Sequence, residues 1–99
     1  MADGPVEPPV VLAPPELDYA SAPAFARDLA AAFATGADTV VADFGGTTFC
    51  DSSALKVLVN AAKRAHAGGL RFEIRSPSRT LCRMASIVGV STLLGLPPD

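Results

Sequence analysis

Histidine is almost absent from this 99-residue chain: His66 is the only one. Cysteine is scarce as well, with Cys50 and Cys82 far apart in sequence. One imidazole and two distant thiols do not make a zinc constellation, so neither metal nor cofactor is expected. The same scarcity argues against nucleophilic catalysis by Cys50 or Ser53. His66 falls at the far end of a predicted helix, and no oxyanion motif is evident, so the chain is not read as an enzyme. A long uninterrupted apolar run is lacking, which excludes a membrane span. The beginning of the chain lacks the charged and apolar regions of a secretory signal. Together with two unpaired thiols, that predicts a cytoplasmic protein. An excess of basic residues is also missing, with 8 Lys and Arg against 10 Asp and Glu. No basic stripe marks a nucleic-acid partner.

What is present is apolar: hydrophobic residues make up 49% of the chain, enough to argue against disorder. The length predicts one domain with one modest core. Residues 1–9, with Gly4, Pro5, Pro8 and Pro9, read as a flexible lead-in, and residues 10–99 as the domain. Val10-Val11-Leu12 is a short strand candidate stopped by Pro14-Pro15, and it belongs at a sheet edge. Ser21 reads as a helix N-cap, with Pro23 in the first turn and Gly36 past the end. Phe25, Leu29 and Phe33 recur every four residues between them and form an apolar stripe. Thr39 to Phe44 is a compact apolar strand, with Asp43 in a structural role at its end. Gly45 to Thr48 is turn-prone.

A helix is predicted from the segment after Asp51 to about Ala67, ended by Gly68-Gly69. Leu55, Leu58, Val59 and Ala62 are its expected buried face. Lys56, Asn60, Lys63 and Arg64 are its wet face, and His66 is expected to be exposed. Leu70 to Arg75 alternates apolar and charged residues, the signature of a strand with one buried face. Ser76-Pro77-Ser78 opens a helix with the stripe Leu81, Met84, Ala85 and Val88, closed by Gly89. Val90 to Leu96 allows one more short turn, capped by Ser91. Alternating strands and helices predict an α/β fold: a small, mostly parallel sheet with right-handed crossovers and helices mainly on one face. Groups that follow strand ends then share a rim. Asp18 follows the first strand, and Asp51, Ser52 and Ser53 follow the second. Two hydroxyls at a helix N-terminus sit where backbone N–H groups lack partners and the dipole is positive. Taken by themselves, these residues read as helix caps, a role Asp and Ser commonly fill.

The stretch Val40-Val-Ala-Asp-Phe-Gly-Gly-Thr-Thr-Phe-Cys-Asp-Ser-Ser-Ala-Leu-Lys-Val-Leu58 resembles the central motif of the STAS domain, found in bacterial anti-sigma factor antagonists. Glu16-Leu17-Asp18, followed by Ser21-Ala22-Pro23, resembles a second motif of that family. Gly68-Gly69-Leu70 and the closing helix with Val88-Gly89-Val90 fall in family order. The resemblance spans roughly Val10 to Leu96. It implies partner switching: an anti-sigma factor that is also a serine kinase binds the unmodified antagonist, phosphorylation ends the contact, and a serine phosphatase resets it. The family phosphoacceptor maps to Ser53. Asp18, Asp51, Ser52 and Ala54 map to the partner-binding surface around it. STAS-like proteins also occur as small partners of lipid-transport machinery and as regions of anion transporters, which implies the alternative of a constitutive subunit without phosphorylation. Ala54 stands where the family usually has glycine, and Pro15 replaces another glycine. The family's additional N-terminal strand has no counterpart in the proline-rich segment before Val10, so the first strand is expected to be short or absent.

Overall fold

A computed structural model of the chain describes residues 7–98. Most of the predicted lead-in, residues 1–6, lies outside the described residues, and Glu7 to Pro9 form no strand. Three parallel strands form the main sheet: β1 (Val10–Leu12), β3 (Thr39–Asp43) and β5 (Arg71–Arg75), in the spatial order β1-β3-β5. β1 is short and lies at an edge. The Pro9 carbonyl lengthens its pairing by accepting the Val41 N–H at 3.0 Å.

Strand order follows chain order. Two right-handed crossovers in the same direction place both connecting helices on the same face. Those helices are α1 (Ala22–Phe33) and α2 (Ser52–Ala67). α3 (Arg79–Val88) and the single turn α4 (Ser91–Leu94) complete the layer by packing on α2. The sheet's inner face contributes Val11, Val40, Ala42, Phe72 and Ile74 to the core. Its other face carries no helix and presents Val10, Leu12, Glu73, Arg71 and Arg75.

The core follows the predicted stripes. Phe25, Leu29 and Phe33 of α1 are buried, as are Leu55, Leu58 and Ala62 of α2. Phe25 meets Phe44 edge to face at 6.0 Å, a favourable aromatic geometry. Alanine lets the layer close tightly: Ala54, Ala61 and Ala65 are buried too, while Val59 is only half-buried.

Three expectations need correction. Val88 is 63% exposed, whereas Cys82 joins Leu81 and Ala85 in the core and Met84 is half-buried. The helix ends at Val88, where Gly89 turns at φ 86°, so its last residue overhangs the core. Ser91 is the first residue of α4 rather than its cap, which is Val90. The third correction is a second sheet. Glu16–Leu17 (β2) and Phe49–Cys50 (β4) pair in parallel, with Glu16 opposite Phe49 and Leu17 opposite Cys50. The turn-prone linker runs into this pair: Thr47 Oγ1 donates to the Pro14 carbonyl at 2.9 Å, and the Thr48 N–H donates to that of Pro15 at 2.8 Å.

Leu58 has no exposed surface. Replacing it by alanine is expected to destabilise the fold by about 2–5 kcal/mol. Val88→Ala is expected to stay within about 0.5 kcal/mol, as exposed positions do. Urea denaturation of the two variants measures both.

Candidate functional site

The β2–β4 pair builds the rim. Leu17 and Cys50 point inward and are buried, while Glu16 and Phe49 point outward. The Asp51 N–H donates to the Leu17 carbonyl at 3.2 Å and extends the pairing by one residue. Asp18 and Asp51, each one step beyond its strand, therefore stand on neighbouring loops; the strands they follow are β2 and β4 rather than the two the sequence suggested.

Asp51 is the N-cap of α2. Its backbone is extended, and its Oδ1 accepts the Ser53 N–H at 2.8 Å. The Ala54 N–H donates to the Asp51 carbonyl at 3.0 Å. Two of the free donors at the helix start are thus satisfied by one residue. Ser52 is exposed and Ser53 half-buried. Among the described residues the Ser53 hydroxyl has no hydrogen-bond partner. Ala54 differs from the other candidates. It is fully buried, so its methyl group packs into the core and only its neighbours meet solvent.

Asp18 organises the start of α1. The N–H groups of Ala20 and Ser21 donate to its Oδ1 at 3.0 Å each. Ser21 is the positional N-cap but makes no side-chain cap. Its hydroxyl instead donates to the Glu16 carbonyl at 2.9 Å and accepts the Asp18 N–H at 3.0 Å. This tightens the turn between β2 and α1. The Ser21 N–H bond is the largest influence on the Asp18 carboxyl and holds its pKa below the usual 3.8; the bond from Ala20 adds to it.

Cys50 lies beneath the rim. Burial pushes its thiol above the usual 9.0; a hydrogen bond with Ser78 opposes this and the Asp51 charge reinforces it. The thiol stays protonated at neutral pH, which removes its nucleophilicity. Ser78 is also the N-cap of α3, accepting the Leu81 N–H at 3.0 Å. Asp43 holds the following turn, its Oδ1 accepting the Gly45 N–H at 2.8 Å, in the structural role expected. Among the described residues no group of three or more His, Cys, Asp or Glu side chains is arranged to hold a metal ion.

Two further rim residues carried no signal in the sequence. Tyr19 is 80% and Phe49 53% exposed. One follows Asp18 and the other precedes Cys50 and Asp51, so an exposed aromatic accompanies each acidic loop. Aromatic side chains of this kind are enriched at protein interfaces. The rim thus combines two carboxylates, two serines and two aromatics. That combination suits recognition of another protein.

The fold is that of the anti-sigma factor antagonists. The unphosphorylated form of the antagonist SpoIIAA matches with a TM-score of 0.72 and 18% identity, over 97% of this chain and 86% of that one. The phosphorylated form of SpoIIAA from Bacillus, a cell fate determinant, matches at 0.68 and 21%, over 91% and 82%. The NMR structure of the protein TM1081 matches at 0.73 and 20%, over 91% and 73%. No curated protein matches the chain significantly. The family model described as Mlab, STAS domain matches residues 2–95, and the chain belongs to this STAS family.

Asp51→Ala is expected to cost about 0.5–2 kcal/mol through the lost cap; chemical denaturation measures it. The Asp18 carboxyl is expected to titrate below 3.8 in the folded chain, followed by NMR. Because its folded pKa lies below the unfolded value, its contribution is complete above 3.8 and fades as pH falls through the lower folded value. Asp18→Asn should therefore flatten the acid limb of the stability profile.

Proposed function

We propose that this chain is an anti-sigma factor antagonist that works by partner switching. Unmodified, it binds an anti-sigma factor with serine kinase activity. Phosphorylation of Ser53 releases it, and a serine phosphatase restores it. Residues 10–99 act in this reading as one cytoplasmic binding domain, without catalysis of their own. Asp18, Asp51 and Ser52 surround the acceptor on the partner-facing rim. Ala54 contributes by fixing the backbone beside the acceptor from within the core.

The observation that carries the reading is the pairing of β2 with β4. It brings the Asp18 loop beside Asp51, while the Ser53 hydroxyl is left unused by the fold. A phosphate adds roughly −1.5 to −2 charges at neutral pH. The Ser53 N–H, which would welcome it, already serves Asp51 Oδ1. The new charge would therefore sit among carboxylates, and a partner surface fitted to the neutral serine would meet repulsion and desolvation. The existence of SpoIIAA in both phosphorylated and unphosphorylated forms agrees with a switch on this fold.

The match to the Mlab family favours a second reading, in which the chain is a constitutive STAS-type subunit of a transport or stressosome-like complex. Such a subunit uses the same rim without phosphorylation.

Incubation with ATP, magnesium and candidate anti-sigma kinases, followed by intact-protein mass spectrometry and fragment mapping, separates the two. Partner switching predicts one phosphate, on Ser53. Ser53→Asp should weaken kinase binding at least tenfold, equivalent to about 1.4 kcal/mol, while Ser53→Ala should bind persistently. Equal affinity of the two variants would refute the switch, and a stable complex without phosphate would support the constitutive subunit.

A further inference from the structure

The near-neutral composition conceals a separation of charge. Of the eight Lys and Arg residues, all but Arg27 come after Ser52. Of the acids between Ser52 and Pro98 there is one, Glu73. Glu73 alternates with the core-packed Phe72 and Ile74, so it points to the sheet's helix-free face. Neither α2 nor α3 contains an acidic residue. Their outer surface therefore carries cations alone.

The helical spacing shows which cations lie together. Val57, Asn60, Ala61 and Arg64 line a recess against α1. Lys56 and Lys63, two turns apart and both exposed, share the other outer side of α2, toward α3 and α4. On α3, exposed Arg79, Arg83 and Ile87 recur at four-residue intervals and form one outward stripe. Beyond the last of them the surface turns apolar. Ile87 is 78%, Val88 63% and Leu93 38% exposed, and all three lie at the junction of α3 with α4. The recesses at the sheet's lower end, between α1 and α2, and beside Leu12 and Pro15 are lined by other residues. None of these three recesses is lined by Ile87, Val88 or Leu93.

We propose that the outer face of α2 and α3, with its Ile87-Val88-Leu93 corner, is a docking surface for an anionic lipid bilayer. The match is one of charge and texture. Anionic headgroups attract Lys56, Lys63 and Arg79 together, and neither helix contains an acidic residue. The exposed aliphatic corner enters the soft boundary between headgroups and acyl chains, as the apolar face of an interfacial helix does. A nucleic acid would reward the cations but not the aliphatic side chains, and neither helix carries a Phe, Tyr or Trp on which a base could stack. Among the described residues no helix is long and apolar enough to cross a membrane, so the contact is peripheral and reversible. The Asp18 loop and the other acids of the first half lie outside these helices, and Asp51 caps α2 at its start.

The test is flotation of the full chain with vesicles of phosphatidylcholine and phosphatidylglycerol at 3:1, against vesicles of phosphatidylcholine alone. Binding to the anionic vesicles, weakening as salt rises, is expected; neutral vesicles should leave the chain unbound. Each cation near such a surface is worth roughly fivefold in partition. Lys63→Glu with Arg79→Glu should therefore lower partition more than tenfold, and Lys63→Gln with Arg79→Gln by an intermediate factor. Ile87→Ser with Val88→Ser should weaken binding at constant charge. Asp28→Lys, on α1, should leave it within twofold of the parent. Circular dichroism establishes that each variant is folded. Failure to float with anionic vesicles, equal flotation with neutral ones, or indifference to the charge and serine variants overturns the proposal.

Discussion

The rim rests on one short pairing. Leu17 and Cys50 lie opposite each other in two strands of two residues, and the next N–H, that of Asp51, continues the bonding to the Leu17 carbonyl. Without that register the Asp18 turn and the α2 cap would be separate local structures. With it, they become neighbouring parts of one surface. Two buried side chains and a few backbone bonds hold the arrangement, reinforced by Thr47 and Thr48 on the proline carbonyls. The threonines matter because prolines supply acceptors but no donors. The Pro14-Pro15 carbonyls, which would otherwise be bare, find their partners across the linker.

Most of the layer architecture was legible in the chain because periodicity reports burial. The alternation from Leu70 to Arg75 and the four-residue spacing of Phe25, Leu29 and Phe33 describe real faces. β2 and β4 were not legible, since two residues display no period and their strand character comes from each other. The end of α3 misled for a related reason. Val88 continues the helical stripe, but the core stops before the helix does. Exposure of Tyr19 and Phe49 is a tertiary property, and an aromatic beside a motif reads equally well as core.

The candidate site was more legible in its residues than in its bonding. Asp51, Ser52 and Ser53 announced a helix start, and Asp51 does cap it. Ser21 is the N-cap of α1 by position, as read, but Asp18 collects the N–H bonds of the turn and the Ser21 hydroxyl ties it to Glu16. Either residue type can fill either role, and the choice depends on where β2 ends. Net charge was the least informative reading of all. A sum of −2 conveys nothing about where the charges lie, and only the placement of α2 and α3 side by side turns scattered lysines and arginines into a face.

Strand order that follows chain order has a consequence for how the chain acquires its shape during synthesis. Each new strand joins the outer edge of a sheet that already exists, and no later segment must be inserted between earlier ones. β1, α1 and β3 can assemble before β5 leaves the ribosome, and the β2–β4 pair closes within the same span. Parallel pairing still brings together residues far apart in sequence, such as Val10 and Val41, which slows folding relative to local pairing. The segment carrying nearly all the positive charge arrives last, onto a scaffold whose acidic half is already in place.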